Sequence, residues 1–338
     1  MHRRSAVPLL LAVILAGMDR ASPIPERDYG TQYGHTIPPF LKSGERFPFR
    51  SADGRTELQG VRFLNPQARG TIVVVNGSTE SWLKYGELFH DLYRAGYSIF
   101  SYDHRGQGLS PHLVPANPQI DHIDDFALYA ADLDAFVREV VLPTRPSPLF
   151  LIAHSMGGGV TTDYLQRYPS PFQAVVLSAP MIRIKTSPYP EPVAHLMIKL
   201  LHAAGFGAGY APGKHDHDPK ESFEGNPVTS SRERWEANEA VWTSHPDAVL
   251  GGPSVDWVNQ ALDTTATIRG HKEPVPVPVL VFQAGQDAFV MNPSRSELHR
   301  IFPNVRIICF PDSKHEILME RDAVRDKAIG EIAGFFGR

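Results

Sequence analysis

The sequence predicts an α/β fold: a mainly parallel central sheet flanked by helices, with an inserted, largely helical cap. Short aliphatic runs such as GTIVVV and VPVLVFQA have the composition of strands buried on both faces. Segments with apolar residues every three or four positions alternate with these runs, as crossover helices do between parallel strands. The alternation stops near residue 180 and resumes near 274, which indicates an insertion between two strands of one sheet.

Residues 51–180 form the first part of the predicted core. Its strands, in chain order, are TELQGVRFL, GTIVVV, YSIFSY, PLFLIA and FQAVVLSA. After the second strand, LKYGELFHDLYRAG has helical spacing and ends on Gly96, a residue type that commonly terminates helices. After the third, the segment from Asp124 to Leu142 shows one apolar helix face, begins with acidic residues and stops before Pro143.

Residues 274–338 complete the predicted core. They contain the strands VPVLVFQA and VRIICF, and a final helix from Ile317 to Phe336. The single cysteine, Cys309, excludes an intrachain disulfide and is predicted to be a buried, inert thiol, because it lies in the apolar run VRIICF.

The insertion, residues 181–273, is predicted to form a cap over the carboxyl edge of the sheet. It carries helix-like runs but no convincing buried strand, and its three tryptophans are Trp235, Trp242 and Trp257. Tryptophan suits an acyl-chain groove or a lipid interface. Packing of the cap's own small core is the alternative role for each of these side chains.

Two segments precede the core. Residues 1–21 begin MHRRSAVPLLLAVILAG, a basic start followed by a short apolar stretch, which is the pattern of a signal peptide or an N-terminal anchor. We therefore expect export to the periplasm or membrane association, with a cytoplasmic location as the alternative. Residues 22–50 are rich in proline, glycine and charge, and are predicted to be an extended lead-in.

Composition excludes some partners. The chain has 338 residues and a formal net charge of -4, so it lacks the extensive basic surface that nucleic-acid binding needs. The stretch KHDHDPK places His215 and His217 beside aspartates, but a solvated loop explains it better than a metal site. GFGAG at 205–209 lacks the preceding strand of a dinucleotide-binding motif. No metal and no cofactor are expected.

The segment LFLIAHSMGGGV carries the first candidate catalytic residue. It runs from a predicted strand into Ser155 and then three glycines, and it matches the nucleophile-elbow pattern G-x-S-x-G with Ala153 in the first glycine position. Small residues are needed there because strand and helix approach closely around the turn. A strand followed by a flexible glycine loop is the alternative that this segment alone leaves open.

Two further residues complete a candidate triad in the chain order serine, acid, histidine. Asp287 follows the strand VLVFQA, and His315 lies in the loop after VRIICF, so both fall at the carboxyl edge of the predicted sheet. His315 would take the proton from Ser155, and Asp287 would orient the imidazole. Asp312, three residues before His315, is the competing acid.

The loop after the strand GTIVVV is the candidate for the second half of an oxyanion hole. Asn76-Gly77-Ser78 follows that strand, and glycine lets the backbone approach a substrate closely. The backbone amides of Ser78 and Met156 would then hold the oxyanion. An ordinary Asn-Gly turn is the alternative.

These motifs together resemble the α/β-hydrolase superfamily, and more narrowly its bacterial lysophospholipase and monoacylglycerol lipase branch. The resemblance covers roughly residues 30–338 and is carried by the oxyanion loop NGSTES, the run DHRGQGLS, and the segments AHSMGGG, AGQDAFV and SKHEILME. DHRGQGLS resembles a structural turn of the family, in which Asp103 and Arg105 would brace loops near the oxyanion hole.

The resemblance implies a serine hydrolase that cleaves a long-chain carboxylic ester, with a lysophospholipid as the favoured substrate. Monoacylglycerol lipase and general carboxylesterase activities are alternatives, and an aminopeptidase or a carbon–carbon hydrolase could use the same triad. A non-catalytic ligand-binding protein is a remote alternative. The expected partners are a small lipid ester and a membrane surface; the oligomeric state is not predicted.

Overall fold

The computed structural model of the protein describes residues 23–144 and 147–337. Its centre is an eight-stranded sheet. The strands are β1 (Glu45–Arg50), β2 (Glu57–Phe63), β3 (Thr71–Val75), β4 (Ser98–Tyr102), β5 (Leu149–His154), β6 (Ala174–Ser178), β7 (Val279–Ala284) and β8 (Val305–Phe310). Their order in the sheet is β1-β2-β4-β3-β5-β6-β7-β8. β2 pairs antiparallel with β1 and with β4, and all other neighbours are parallel. The mainly parallel sheet confirms the predicted fold class, and the seven predicted strands are present.

Helices cover the sheet and fill the insertion. They are α1 (Glu26–Ser43), α2 (Gly86–Arg94), α3 (Ala127–Ala135), α4 (Met156–Arg167), α5 (Glu191–Leu201), α6 (Arg232–Ser244), α7 (Val255–Gly270), α8 (Arg295–Ile301) and α9 (Asp322–Phe336). The segment between β6 and β7 contains α5, α6 and α7, and no strand is assigned among its described residues. α7 packs against both α4 of the core and α5 of the insertion.

The prediction of an extended lead-in at residues 22–50 is wrong. Residues 26–43 form α1, and residues 45–50 form β1, which extends the sheet at the edge of β2. Tyr29, Ile37 and Leu41 are buried at helical spacing against the core, and this burial outweighs the two prolines inside the helix. These three side chains lie eight and four positions apart, which places them on one face of a helix, and composition alone does not show this spacing.

Two buried arginines join α1, the cap and the core. Arg234 of α6 donates to both carboxylate oxygens of Glu87 on α2, and to the Ile24 carbonyl just before α1. Arg325 of α9 contacts the same Glu87 and donates to Asp91 at 2.7 Å. Because breaking a buried ion pair leaves an uncompensated charge, this network anchors α6 firmly to the core.

The prediction that Cys309 is buried is also wrong. The cysteine is exposed, because it lies near the end of β8, an edge strand that pairs only with β7. Residues 1–21, predicted to be a signal peptide or anchor, lie outside the described residues.

Candidate active site

Ser155 lies at a sharp turn between β5 and α4. Its backbone has φ 51° and ψ -118°, a strained conformation for a residue with a side chain. Four backbone hydrogen bonds fix it: its amide donates to Ser178, and its carbonyl accepts from Gly158, Gly159 and Met181. The turn directs the Ser155 hydroxyl to the carboxyl edge of the sheet, as the elbow motif predicts.

The glycines after Ser155 are required by close packing. A Cβ on Gly157 would lie 2.5 Å from the carbonyl oxygens of Val75 and Asn76, and a Cβ on Gly158 would lie 2.7 Å from Cβ of Pro180. A larger residue at position 157 would therefore push α4 away from the loop that follows β3. This contact brings the nucleophile turn and the oxyanion loop together.

Ser155, His315 and Asp287 form one hydrogen-bonded chain. His315 Nε2 lies 2.8 Å from Ser155 Oγ, and His315 Nδ1 lies 2.7 Å from Asp287 Oδ2. An ionised carboxylate only accepts hydrogen bonds, so Nδ1 carries the proton and Nε2 is free to accept from the serine hydroxyl. The structure thus brings together the three residues predicted from three separate loops.

The environment of Asp287 keeps its carboxylate ionised. Burial raises the pKa of Asp287, but hydrogen bonds from His315 and from the amides of Val290 and Phe289 outweigh that effect and hold the pKa below its ordinary value. The competing acid, Asp312, is exposed, and no hydrogen bond joins it to His315 within the described residues. The geometry therefore favours Asp287 as the partner of His315.

The two residues predicted to supply the oxyanion amides line the same cavity. The amides of Ser78 and Met156 donate to no other group in the described part of the chain, and both residues line the cavity that contains Ser155. Met156 is the first residue of α4, so its free amide belongs to the positive end of a helix. Gly77 packs against Ser155: a Cβ on Gly77 would lie 3.2 Å from the serine Cβ.

A buried charged cluster behind the triad was not predicted from the sequence. Glu80 accepts from the Gly77 amide at 2.6 Å and from Lys84 at 2.6 Å, and Lys84 also donates to Glu316 at 2.5 Å. Burial raises the pKa of Glu80, but the Lys84 ammonium outweighs it and the pKa lies below its ordinary value. Lys84 thereby connects the oxyanion loop to the residue that follows His315.

Two neutral histidines, His154 and His104, lie near the site. The His154 ring lies 4.8 Å from that of His315, and burial lowers the pKa of His154 to about 3, so it stays neutral and adds no repulsion to a protonated His315. His104 lies 3.2 Å from the Asn76 carbonyl oxygen, and burial lowers its pKa to about 4. Neither role was predicted, because one histidine among fifteen carries no positional signal.

Of the two residues in DHRGQGLS that were expected to brace the oxyanion loop, only Asp103 contacts it. Asp103 accepts hydrogen bonds, both at 2.7 Å, from the hydroxyl of Ser81, the last residue of the oxyanion loop, and from the amide of Trp82, which follows it. Arg105 instead pairs with Asp132 and Asp53 within the core. The aspartate therefore supports the oxyanion loop directly, whereas the arginine joins α3 to the segment after β1.

A cavity of about 840 Å³ opens over Ser155 and is walled by the insertion. Its volume lies in the range typical of small-molecule sites. All three cap tryptophans line it, and its apolar wall also includes Met197, Ile198 and Leu262. A narrow apolar chain could lie along this wall with its carboxyl carbon at Ser155.

One group of side chains has the spacing of a metal site. Ligand atoms of His122, Asp124 and Asp256 lie within 4.8 Å of one another, outside the lining of the cavity. His122 already bonds to Asp124 and to the Ser254 hydroxyl. His215 and His217 do not belong to this group.

The chain matches a known family over most of its length. The family model described as serine aminopeptidase, S33, matches residues 66–322. A probable lysophospholipase L2 of Haemophilus influenzae is 30% identical over 296 residues, covering 86% of this chain and 92% of that protein. Lysophospholipase L2 of Escherichia coli is 32% identical over 290 residues, covering 82% of this chain and 83% of that protein.

Solved structures share the fold at low sequence identity. A soluble variant of monoglyceride lipase from Saccharomyces cerevisiae, solved with a substrate analogue, aligns with a TM-score of 0.65 at 18% identity, covering 86% of this chain and 94% of its own. A carboxyl esterase from Bacillus coagulans aligns with a TM-score of 0.68 at 19% identity, covering 87% of this chain and 98% of its own. At these identities the likeness concerns the fold.

Proposed function

Because the chain belongs to the serine aminopeptidase S33 family of α/β-hydrolases, we propose that it is a serine hydrolase that cleaves a long-chain carboxylic ester, a lysophospholipid in the first place. The observation that carries the proposal is the hydrogen-bonded chain Ser155–His315–Asp287 at the base of an apolar cavity. Ester hydrolysis also agrees with the lysophospholipase and lipase relatives.

In the proposed acylation step, Ser155 Oγ attacks the ester carbonyl carbon while His315 Nε2 takes the hydroxyl proton. The amides of Ser78 and Met156 donate to the developing oxyanion, and Asp287 stabilises the imidazolium. His315 then gives the proton to the leaving alcohol. Water activated by His315 attacks the acyl-enzyme, and the fatty acid leaves with Ser155 restored.

The lipid substrate class is supported by the shape and lining of the cavity. α5, α6 and α7 contribute aliphatic and aromatic side chains to its wall, and Lys214, His217 and Glu239 of the same insertion add polar groups. A single acyl chain beside a polar head group matches that combination. The Escherichia coli relative bears the name lysophospholipase L2, and the Haemophilus influenzae relative bears the name probable lysophospholipase L2. A relative from Mycolicibacterium smegmatis, 28% identical over 159 residues, bears the name monoacylglycerol lipase.

A substrate panel tests the proposed activity. We expect purified protein to hydrolyse a long-chain lysophospholipid with a kcat/KM at least about tenfold above that for a short ester such as p-nitrophenyl butyrate, because the acyl chain adds apolar contacts. A long-chain monoacylglycerol distinguishes the lipase alternative, and an aminoacyl anilide distinguishes the aminopeptidase. Preference for the anilide would contradict the proposal.

A membrane-surface location is the second part of the proposal, and α5 supports it. Leu196 and Leu200 are 59% and 62% exposed, and the exposed Val193 extends this apolar stripe along the helix. Phe206, which follows the helix, is 61% exposed. A different side of α5, through Ala194, Met197 and Ile198, lines the cavity. A surface helix normally presents polar residues to water, so such a stripe marks an interaction face.

The leader sequence, residues 1–21, also supports a membrane location. Its basic start and apolar stretch are the grounds for proposing export or membrane association, as opposed to a cytoplasmic location. Among the helices of residues 23–144 and 147–337, none is long and apolar enough to cross a bilayer.

A paired experiment tests this location. We expect L196S/L200S to weaken binding to phosphatidylglycerol vesicles by about tenfold or more, because each leucine loses apolar burial. Hydrolysis of p-nitrophenyl butyrate should be unchanged, since neither side chain lines the cavity. Leu64→Ser is the matched control, because Leu64 is an exposed leucine outside the cap.

Cell fractionation tests the contribution of the leader sequence. We expect a chain that starts at Ser22 to lose the export or membrane association of the full chain. A full chain that is freely cytosolic and does not bind vesicles would contradict the proposal.

A further inference from the structure

A buried carboxylate outside the triad contacts the oxyanion loop. Asp121 is fully buried, and its Oδ2 accepts a hydrogen bond from the Ser78 hydroxyl at 2.5 Å. Its Oδ1 accepts from Gln107 Nε2 at 3.2 Å, and the same Gln107 nitrogen lies 3.5 Å from Met156 Sδ. Asp121 therefore contacts the side chain of Ser78, and Gln107 contacts that of Met156, the two residues predicted to supply the oxyanion amides.

The backbone of Asp121 is joined to the wall of the cavity. Its amide donates to the Gly252 carbonyl at 3.1 Å, and its carbonyl accepts from the Ser254 amide at 2.8 Å. Gly252 and Pro253 line the cavity. The backbone of Asp121 is thus bonded to the cap, whereas its side chain is bonded to Ser78 of the core.

We propose that Asp121 is a positioning residue of the oxyanion hole. By accepting a hydrogen bond from the Ser78 hydroxyl, Asp121 orients the Ser78 amide toward Ser155. This inference rests on the proposed function, in which that amide binds the oxyanion. The loop after β3 could otherwise rotate its peptide planes, and a donor turned away from the reacting oxygen would contribute nothing to catalysis. Because the Ser78 hydroxyl is engaged by Asp121, it is the amide that remains to face the reacting oxygen.

Stability does not explain a carboxylate at this position. Among the described residues no lysine, arginine or histidine forms an ion pair with Asp121, and burial raises its pKa to about 7, although the hydrogen bonds from Ser78 and Gln107 partly offset that rise. A buried carboxylate without a cation costs folding free energy. An asparagine keeps an oxygen for the bond from Ser78, and once the Gln107 amide turns over, its NH2 donates to Gln107 Oε1, an atom that has no partner in the wild-type protein.

A double-mutant cycle on p-nitrophenyl butyrate tests the inference. We expect Asp121→Ala and Ser78→Ala each to lower kcat by about 10- to 100-fold with KM nearly unchanged, because a misplaced donor affects the transition state most. The double variant should be no slower than either single variant, since both remove the same contact. Asp121→Asn should restore most of the activity without loss of thermal stability.

A control and two contrary results complete the test. Ser101→Ala removes a buried hydroxyl that donates to Val74 on β3 but does not touch the oxyanion loop, so its kcat should stay within about twofold of wild type. Wild-type kcat in Asp121→Ala, or additive losses in the double variant, would overturn the inference. If Asp121→Ala does not fold, the kcat of Ser78→Ala is the deciding measurement, and a wild-type kcat in that variant would overturn the inference.

The same assay separates this inference from the proposed function. An inactive Ser155→Ala beside a fully active Asp121→Ala would leave the serine hydrolase in place and remove only the role of Asp121. An active Ser155→Ala would overturn the proposed function and, with it, the oxyanion hole on which the role of Asp121 depends.

Discussion

Replacing Ser155 with alanine is expected to lower ester hydrolysis by about 10⁴- to 10⁶-fold, because it removes the atom that forms the acyl-enzyme. The fold should survive, since the strained backbone at position 155 is held by bonds to Ser178, Gly158 and Met181 that do not involve the side chain. The measurements are steady-state hydrolysis of p-nitrophenyl butyrate and a lysophospholipid, labelling by a fluorophosphonate probe, and thermal unfolding.

Ser187→Ala is the matched control for that experiment. Ser187 lines the same cavity but makes no bond to His315, so its alanine variant should keep nearly wild-type turnover and should still be labelled. Retention of more than a few per cent of the activity by pure Ser155→Ala protein, or its labelling by the probe, would show that the nucleophile lies elsewhere.

Replacing Asp287 with asparagine is expected to lower kcat by about 10⁴-fold while the protein stays folded. The asparagine amide can donate to Nδ1 of His315, which favours the tautomer with its proton on Nε2, and that tautomer cannot accept the Ser155 proton. The carboxylate is ionised at neutral pH because its pKa lies below the ordinary value, so the variant also removes a charge that stabilises the imidazolium.

Asp312→Asn is the internal comparison for the acid. Asp312 is exposed and lies near His315 in sequence but not in the hydrogen-bonded chain, so its variant should keep kcat within about twofold of wild type. A larger loss in Asp312→Asn than in Asp287→Asn would reassign the acid. Circular dichroism and thermal unfolding of both variants separate a catalytic loss from a folding loss.

The parallel core was readable from the sequence because strands buried on both faces must be almost wholly apolar. β3 and β5 have every residue buried, and their aliphatic runs stand out from any flanking segment. The candidate triad was readable for a related reason. Residues that follow parallel strands meet at one edge, so chain order and strand position together selected Ser155, Asp287 and His315.

The missed elements depend on partners that are distant in the chain. α1 has prolines and charges that suggest an extended segment, and only the core surface beneath Tyr29, Ile37 and Leu41 makes it a buried helix. Cys309 lies in an apolar strand, and only the position of β8 at the sheet edge exposes it. Local pattern indicates which residues can be buried, whereas sheet order decides which faces are covered.

By itself the sequence determined the fold class, the insertion between two strands, and the three candidate triad residues, because these follow from local apolar pattern and strand order. The tertiary structure alone decided the polar surroundings of the triad. Lys84 lies 232 positions from Glu316, and Ser78 lies 43 positions from Asp121, yet each pair is joined by a short hydrogen bond. A buried ion or hydroxyl looks in sequence like a surface one, since its burial and its partner exist only after distant loops pack together.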